Sequence, residues 1–232
     1  MSNRTLLIGF LGLGGLALLS GCNQPDIARK HMLRPDRVIG VEVGGEPLEA
    51  RTPLALDVRN ERGSVWVEVD ERLTEPKVES RLSWKQGDRD DGWAAEKGSG
   101  AVVEAERSMG EGGGVLRVEG VLDEGAPETA FLDLRIRVPR CDGVWVVNDG
   151  GPIVLVGVGG AITARNGPEG GRIELRTSRS LAEPVALVTT RGRVSAVIGT
   201  EGRGLIELDA EDGASEFETN YGVMTQVRPS PG

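Results

Sequence analysis

The sequence predicts an all-β protein whose second half repeats a short two-strand unit. From Leu54 onward, apolar and polar residues alternate with a period of two, which is the pattern of half-buried strands. No window in this region carries a convincing helical stripe. Along the second half, apolar strand starts and glycine-bearing turns recur with a spacing of about 20 residues for every two strands. These three observations together define the fold class.

The first 22 residues have the layout of a bacterial lipoprotein signal. Arg4 is their only charged side chain, and an apolar run follows over residues 6–19. This run is shorter than the ~20 apolar residues that a membrane-spanning helix needs, and it matches the middle of a secretory signal. The residues that close it resemble the lipobox cut by lipoprotein signal peptidase, and they are Leu19, Ser20, Gly21 and Cys22.

We therefore expect residues 1–21 to be removed as a signal peptide and Cys22 to become the mature N-terminus. Its thiol would carry a diacylglycerol that anchors the protein to a membrane on the extracytoplasmic face. The alternative is an uncleaved N-terminal anchor with an incidental cysteine. Asn23 follows the cysteine where some lipoproteins have aspartate. By resemblance to lipoprotein sorting, this favours the outer membrane if the bacterium has two membranes.

Residues 22–50 are predicted to be the lipidated N-terminus and a tether. This stretch has no sustained periodicity and contains three prolines and the Gly44-Gly45 pair. Its positive charges could rest on anionic headgroups beside the anchor, where each cation adds ~1 kcal/mol. A solvated linker is the equally weighted alternative. The cations concerned are Arg29, Lys30, Arg34 and Arg37.

Residues 51–140 hold several strands with clear alternation. Val65, Val67 and Val69 share one face of a strand, while Trp66 and Glu68 share the other. Two further stretches alternate in the same way, at residues 77–84 and 131–138. Each such strand is expected to bury one face and to leave the other in solvent.

The second half repeats, with apolar strand starts at Val144, Ile153, Ile162, Ile173, Val185, Val194 and Leu205. A coil of about 20 residues cannot bury its own apolar row, so its neighbours must complete it, and the spacing suggests a solenoid. An antiparallel sandwich or meander also turns every ~8–12 residues, so spacing leaves it open. In a solenoid, one inward column would contain Ile153, Ile173 and Val194. The other would contain Ile162, Val185 and Leu205.

A family resemblance extends this interpretation. A strand ending in Val138-Pro139 is followed by repeated units of a short strand, an Asn-Gly or Gly-Gly turn and a second strand, over residues 144–151, 153–160, 162–167, 172–175, 187–196 and 204–208. This arrangement resembles the bacterial putative-adhesin family, whose envelope domains have no assigned activity and are similar to autotransporter adhesin heads. The resemblance implies a short right-handed parallel β-solenoid (β-helix) over residues 141–228. An antiparallel β region over residues 51–140 would lie on its N-terminal side.

The resemblance has two departures, a longer turn at residues 166–171 and an insertion at residues 178–184. These two departures put the strand register at residues 166–184 in question.

Charge and cysteine content exclude several classes of protein. Removing Arg4 with the signal leaves 26 of 27 basic residues against 36 acidic ones, a net charge of −10. Such a chain repels phosphates, so nucleic-acid binding is not expected. If Cys22 is lipidated, Cys141 is the remaining thiol and no intrachain disulfide can form. Cys141 is predicted to be a small buried residue rather than a reactive one.

Motifs for catalysis and metal binding are weak. His31 is the sole histidine and lies in the tether, so the body has no Ser-His-Asp relay and no histidine-rich zinc site. Acidic stretches at residues 88–92 and 209–213 could hold Ca²⁺, but solvated turns are the favoured interpretation. A glycan-cleaving solenoid would draw on strand charges, and the candidates are Glu174, Arg176, Arg193 and Glu207. A soluble solenoid needs such outward charges too, so we expect no enzyme, no cofactor and no metal site.

Two function classes follow. The first is a lipid-anchored cell-envelope protein with a non-catalytic, adhesin-like binding or structural module. Its partners would be the membrane, through the diacylglycerol on Cys22, and an envelope protein or glycan. The alternative is a small glycan-binding or glycan-processing β-solenoid protein. A concave acidic cleft on the body would favour the alternative.

Overall fold

A computed structural model describes residues 38–49, 52–84, 100–110, 113–124, 126–199, 204–219 and 222–228. These residues contain no helix, and their strands form one mixed, unclosed sheet, so the all-β prediction is confirmed. The first eight strands are β1 (Val38–Val41), β2 (Gly44–Gly45), β3 (Leu54–Asn60), β4 (Val65–Val69), β5 (Lys77–Ser83), β6 (Ala101–Gly110), β7 (Gly113–Leu122) and β8 (Phe131–Val138). The others are β9 (Cys141–Gly150), β10 (Ile153–Val156), β11 (Ile162–Gly170), β12 (Ile173–Thr177), β13 (Val185–Ile198), β14 (Ile206–Thr219) and β15 (Gly222–Arg228).

Parallel pairing organises the sheet into two runs of strands. The first ladder contains β8, β4, β10, β12 and the C-terminal part of β13. The second ladder contains β7, β3, β9, β11 and the N-terminal part of β13. Strand β14 pairs in parallel along the whole of β13 and so extends both ladders.

The N-terminal half was expected to be antiparallel, but its pairing is mixed. Strands β1 and β5, β5 and β8, and β6 and β7 do pair antiparallel. In contrast, β3 and β4 pair in parallel with β9 and β10, so parallel pairing begins before residue 141. Alternation within a strand records which face is buried, and it carries no information about the direction of the neighbouring strand.

The first predicted column is confirmed. Ile173 lies opposite Ile153 on one side and Val194 on the other, and all three side chains are completely buried. Val65 continues the column into the first half of the chain, because it lies opposite Ile153 in β10. The column therefore stacks one apolar residue per strand through the first ladder.

The second predicted column is right in two members and wrong in the third. Ile162 lies opposite Val185 as expected. Val185 lies opposite Ile206, whereas Leu205 is 76% exposed. The N–H of Val185 bonds to the Leu205 carbonyl, so the new strand begins one residue later than predicted. Successive side chains point to opposite faces, so a shift of one residue turns Leu205 towards solvent.

A column of polar side chains runs inside the second ladder. Asn60, Asn148, Asn166 and Thr189 lie opposite one another in register and are all buried. The pairs Asn148-Asp149 and Asn166-Gly167 had been assigned to turns, but β9 and β11 continue past them. We call these four residues the Asn column.

Hydrogen bonds explain how polar groups are accommodated there. The Asn148 amide donates to three carbonyls, those of Gly63, Gly150 and Gly151, at 3.0, 3.1 and 3.2 Å. The Asn60 amide donates to the Asn148 side-chain oxygen at 3.1 Å. Buried polar groups are tolerated where such bonds are made. Within the Asn column, Asn60 and Asn148 therefore tie neighbouring stretches of backbone together.

The two departures at residues 166–171 and 178–184 are real irregularities. Pairing between β9 and β11 shifts register between Asn166 and Gly170. The segment after β12 sends Leu181 into the core, where it is 1% exposed. The Thr177 hydroxyl donates to the Val158 carbonyl at 2.8 Å beside it. The insertion is thus packed onto the ladder, and parallel pairing resumes at Val185.

Candidate binding surfaces

Several predicted site residues lie outside the described residues. These are the lipobox residues Leu19, Ser20, Gly21 and Cys22, the tether cations, His31 and the acidic stretch at residues 88–92. Among the described residues, no helix has the length and hydropathy that crossing a bilayer requires.

The acidic stretch at residues 209–213 was predicted to be a turn, and this is wrong, because it lies within β14. Asp209 is opposite Val188 in the parallel pairing, and Asp212 is opposite Arg191. Neighbouring side chains of a strand point to opposite faces and do not converge. In the part of the chain that the structure describes, no three His, Cys, Asp or Glu side chains are grouped to hold a metal ion.

Cys141 is buried, as predicted. It is 4% exposed, and its thiol donates to the Gly143 carbonyl at 3.3 Å. Burial raises the pKa of the Cys141 thiol, because a thiolate would lose its hydration. The neutral thiol is a poor nucleophile, so Cys141 acts here as a packing residue.

The charged strand residues considered for glycan cleavage do not form one site. Glu174 lies between Arg172, at 3.6 Å, and Arg176, with which it forms a close ion pair. Arg193 pairs with Glu216. Glu207 is in the other ladder, opposite Ala186. Glu174 is thus buried and paired along its own strand, whereas Arg193 and Glu216 join β13 to β14.

Two tryptophans are half exposed on the outside of the ladders, one on each. Trp66 of β4 belongs to the first ladder and is 41% exposed, while Trp145 of β9 belongs to the second and is 50% exposed. Alternation places Trp66 on the outward face, but no local pattern singles out either tryptophan as a site residue. Each of them lies in a shallow groove.

The Trp66 groove has a volume of about 370 Å³ and is lined by Val38, Ser64, Trp66, Glu79, Ser80, Arg81, Asp133, Leu134 and Arg135. Its charged groups are engaged within the protein. Arg135 pairs with Glu68 at 3.2 Å, and Glu79 pairs with Arg137 at 2.9 Å. Asp133 accepts a hydrogen bond from the Ser64 hydroxyl at 2.6 Å. Each of these three charged groups therefore already has a partner within the protein.

The Trp145 groove has a volume of about 320 Å³ and is lined by Arg59, Asn60, Glu61, Glu119, Gly120, Val121, Trp145, Val147 and Asp149. The Arg59 guanidinium carbon lies 5.8 Å from the centre of a Trp145 ring, within the range of a cation–π contact. Arg59 also approaches Asp57 at 3.7 Å. The groove thus combines an aromatic side chain, one cation and several carboxylates.

Two of these carboxylates are unengaged. Glu119 and Asp149 are both exposed, and neither makes a hydrogen bond or an ion pair with another described residue. Glu119 also lies directly opposite Glu104 in the antiparallel pair of β6 and β7. Like charges in this arrangement repel and destabilise a sheet. On its other side, Glu119 lies opposite Arg59 in the parallel pair of β3 and β7, so a carboxylate and a guanidinium are neighbours in this groove.

Comparisons with known proteins add little. No protein-family model matches the chain, and no curated protein matches it. Among solved structures, one from Clostridium sporogenes ATCC 15579, named a putative cell adhesion protein, is 11% identical with a TM-score of 0.44. The alignment covers 79% of this chain and 95% of that one. At this identity and TM-score, the likeness defines neither a fold nor a function for this chain.

Proposed function

We propose that this chain is a lipid-anchored protein of the bacterial cell envelope whose β domain is a non-catalytic, adhesin-like binding or structural module. The observation that supports a binding or structural module is the pair of parallel ladders. Their inward side chains repeat from strand to strand, and their outward side chains differ. The anchor rests on the sequence alone, on the lipobox that ends at Cys22.

In this proposal, the two ladders are the two sides of a short right-handed β-solenoid. Three registers support it. Ile153, Ile173 and Val194 are opposite one another in the first ladder, and Ile162 and Val185 are opposite one another in the second. Each step along the chain of about 20 residues returns to the same position one strand further. Stacked coils of this type expose extended outer surfaces, which suits a module that binds.

A non-catalytic role is supported by the character of the ionisable groups. Catalytic sites need groups whose pKa values are shifted by a cleft. Among the described residues, the lowered carboxyl pKa is that of Asp70, which is explained by its hydrogen bond to Arg72 at a turn. The raised thiol pKa of Cys141 accompanies a packed, inaccessible side chain.

The second candidate function is glycan binding or processing. The Trp145 groove favours it, because Glu119 and Asp149 are unengaged carboxylates beside an exposed aromatic ring. Processing requires two carboxyl groups at a catalytic separation across a bound sugar. Loss of glycan hydrolysis in a Glu119→Gln protein, with binding retained, would establish processing.

The anchor is tested by expressing the full chain in a bacterial host and comparing it with Cys22→Ser. Mass spectrometry should find a mature chain that begins at Cys22 with a diacylglycerol, held in the membrane fraction. Cys22→Ser should abolish the lipid and release or mis-sort the protein. An unmodified mature N-terminus at another residue would contradict the proposal.

The module is tested separately by binding of the purified full chain to envelope fractions of the host and of neighbouring cells. We expect saturable binding without turnover of peptidoglycan or polysaccharide. Reproducible hydrolysis that is lost on changing one surface carboxylate would overturn the non-catalytic role.

A further inference from the structure

We infer that the Trp145 groove is a glycan-binding site that accepts a neutral pyranose ring stacked on Trp145. This inference rests on the proposed function, because it gives the binding module a ligand class and a place.

The position of Trp145 is unusual for its row of the sheet. Asp57 and Thr163 lie opposite Trp145 on its two sides. Beyond Thr163, the row continues through Ala186 and Glu207. A row of small and polar side chains is what an outward face requires, and a large aromatic ring in it stays half exposed. Trp is enriched at binding surfaces because it offers a large rigid contact area with a polar tip. The ring therefore supplies a flat apolar platform on an otherwise polar surface.

Arg59 lies over one face of the Trp145 ring, and half of the tryptophan stays exposed. Arg59 approaches the Trp145 ring at 5.8 Å, yet the tryptophan remains 50% exposed. The closest approach of Arg59 to a carboxylate is 3.7 Å, to Asp57, which is longer than a charge-assisted hydrogen bond. Its N–H groups are thus available to sugar hydroxyls. A pyranose has an apolar C–H face and a rim of hydroxyls, which matches an apolar platform beside donors and acceptors.

Acceptors are present beside Arg59, because Glu119 of β7 lies directly opposite Arg59 of β3. Glu119 and Asp149 are exposed and make no hydrogen bond with another described residue. Sugar hydroxyls donate well to carboxylates, and such charge-assisted bonds are stronger than neutral ones. Val121, which is 38% exposed, adds apolar surface to the groove. The groove therefore has the mixture of an apolar floor and a polar rim that small-ligand sites use.

Charge defines which glycans fit. The groove contains three carboxylates, Glu61, Glu119 and Asp149, against one guanidinium, that of Arg59. The whole chain is also acidic. Uronic-acid or phosphate-bearing polymers would be repelled, whereas neutral rings would not. A cationic peptide is the competing ligand, and the test includes it.

The Trp66 groove provides a matched control. Its tryptophan is similarly exposed and its volume is similar. However, Arg135, Glu79 and Asp133 are engaged with protein partners. The two grooves therefore differ in whether their charged groups have partners within the protein, and Trp66→Ala controls for the loss of an exposed indole.

The experiment uses the full chain purified in a detergent without a sugar headgroup, such as lauryldimethylamine oxide. Cellohexaose and hexa-N-acetylchitohexaose serve as neutral probes, polygalacturonate as an acidic probe and polylysine as a cationic one. Binding is measured by isothermal titration calorimetry and tryptophan fluorescence. We expect binding of at least one neutral oligosaccharide and none of polygalacturonate. Trp145→Ala should weaken it by about tenfold or more, which corresponds to ~1.4 kcal/mol, and Trp66→Ala by less than about twofold.

A second variant, Glu119→Gln, keeps the shape of the groove and should weaken neutral binding while leaving the circular dichroism spectrum unchanged. Absence of binding to both neutral probes, equal losses in the two tryptophan variants, or binding of polylysine alone would overturn the inference. Envelope binding that persists in Trp145→Ala would also overturn this site while leaving the proposed module intact. Absence of envelope binding by the unaltered chain would instead overturn the proposed function.

Discussion

The interior and the exterior of the two ladders follow different rules, although the same strands build both. Inside, each position repeats its chemistry from strand to strand, as in the column of Ile153, Ile173 and Val194. Outside, the row through Trp145 changes from acid to aromatic to hydroxyl between neighbouring strands. Packing constrains the interior, whereas solvent accepts almost any residue outside. The exterior is therefore where this protein is free to carry a function.

The largest expected effect comes from comparing a charge placed inside the first ladder with a charge placed outside the second. Ile173→Asp should prevent folding, because an unpaired buried carboxylate costs several kcal/mol. Thr163→Asp, on the outward row of β11, should change the free energy of unfolding by less than about 1 kcal/mol. Urea unfolding followed by circular dichroism measures both. A folded Ile173→Asp protein would show that the side chain at position 173 is not buried in the column.

The next comparison lies within the Asn column. Asn148→Ala removes the donor to three carbonyls and should cost about 1–3 kcal/mol. Asn166→Ala should cost less, because the Asn166 amide nitrogen and oxygen make no hydrogen bond with a described residue. Urea midpoints of the two variants give the difference. Equal losses would mean that the column is held by shape rather than by hydrogen bonds.

A smaller effect is expected at a glycine inside β13, where the backbone of the neighbouring segment approaches closely. Gly192 has a φ of 113°, and a Cβ there would lie 2.7 Å from the Gly171 carbonyl oxygen. Gly192→Ala should therefore cost about 1–2 kcal/mol through backbone strain. Gly40→Ala is the control, because a Cβ at Gly40 meets nothing within 4 Å. Thermal unfolding of the pair tests this, and similar melting temperatures would argue against a tight coil contact.

The smallest effect concerns an ion pair on the exterior. The hydrogen bond from Arg72 lowers the pKa of Asp70 from 3.8 to about 2. A lowered carboxyl pKa stabilises the fold above the unfolded value, and this contribution is lost as the pH falls through about 2. Asp70→Asn should slightly lower the urea midpoint at pH 7, and the difference should vanish near pH 2. A difference that persists unchanged at pH 2 would contradict the ion pair as its cause.

Local alternation was enough to predict the all-β class and most of the interior. It identified the inward residues correctly from Ile153 to Val194, because a residue's face within a strand depends on its own neighbours. It failed at Leu205, because the first residue of a strand is decided by pairing with the neighbouring strand. The inward Asn148 was also missed, since Asn-Asp-Gly-Gly reads locally as a turn.

Pairing direction and the Trp145 groove depended on tertiary structure. Leu54 of β3 lies opposite Cys141 of β9, so the pairing of these two strands joins residues 87 apart in the chain. No local pattern encodes such a contact. The groove combines Arg59, Glu119 and Trp145 from three different strands, and its free carboxylates depend on which partners those strands acquire. The amino-acid pattern thus determines which side of each strand faces inward, and long-range pairing determines which outward side chains meet.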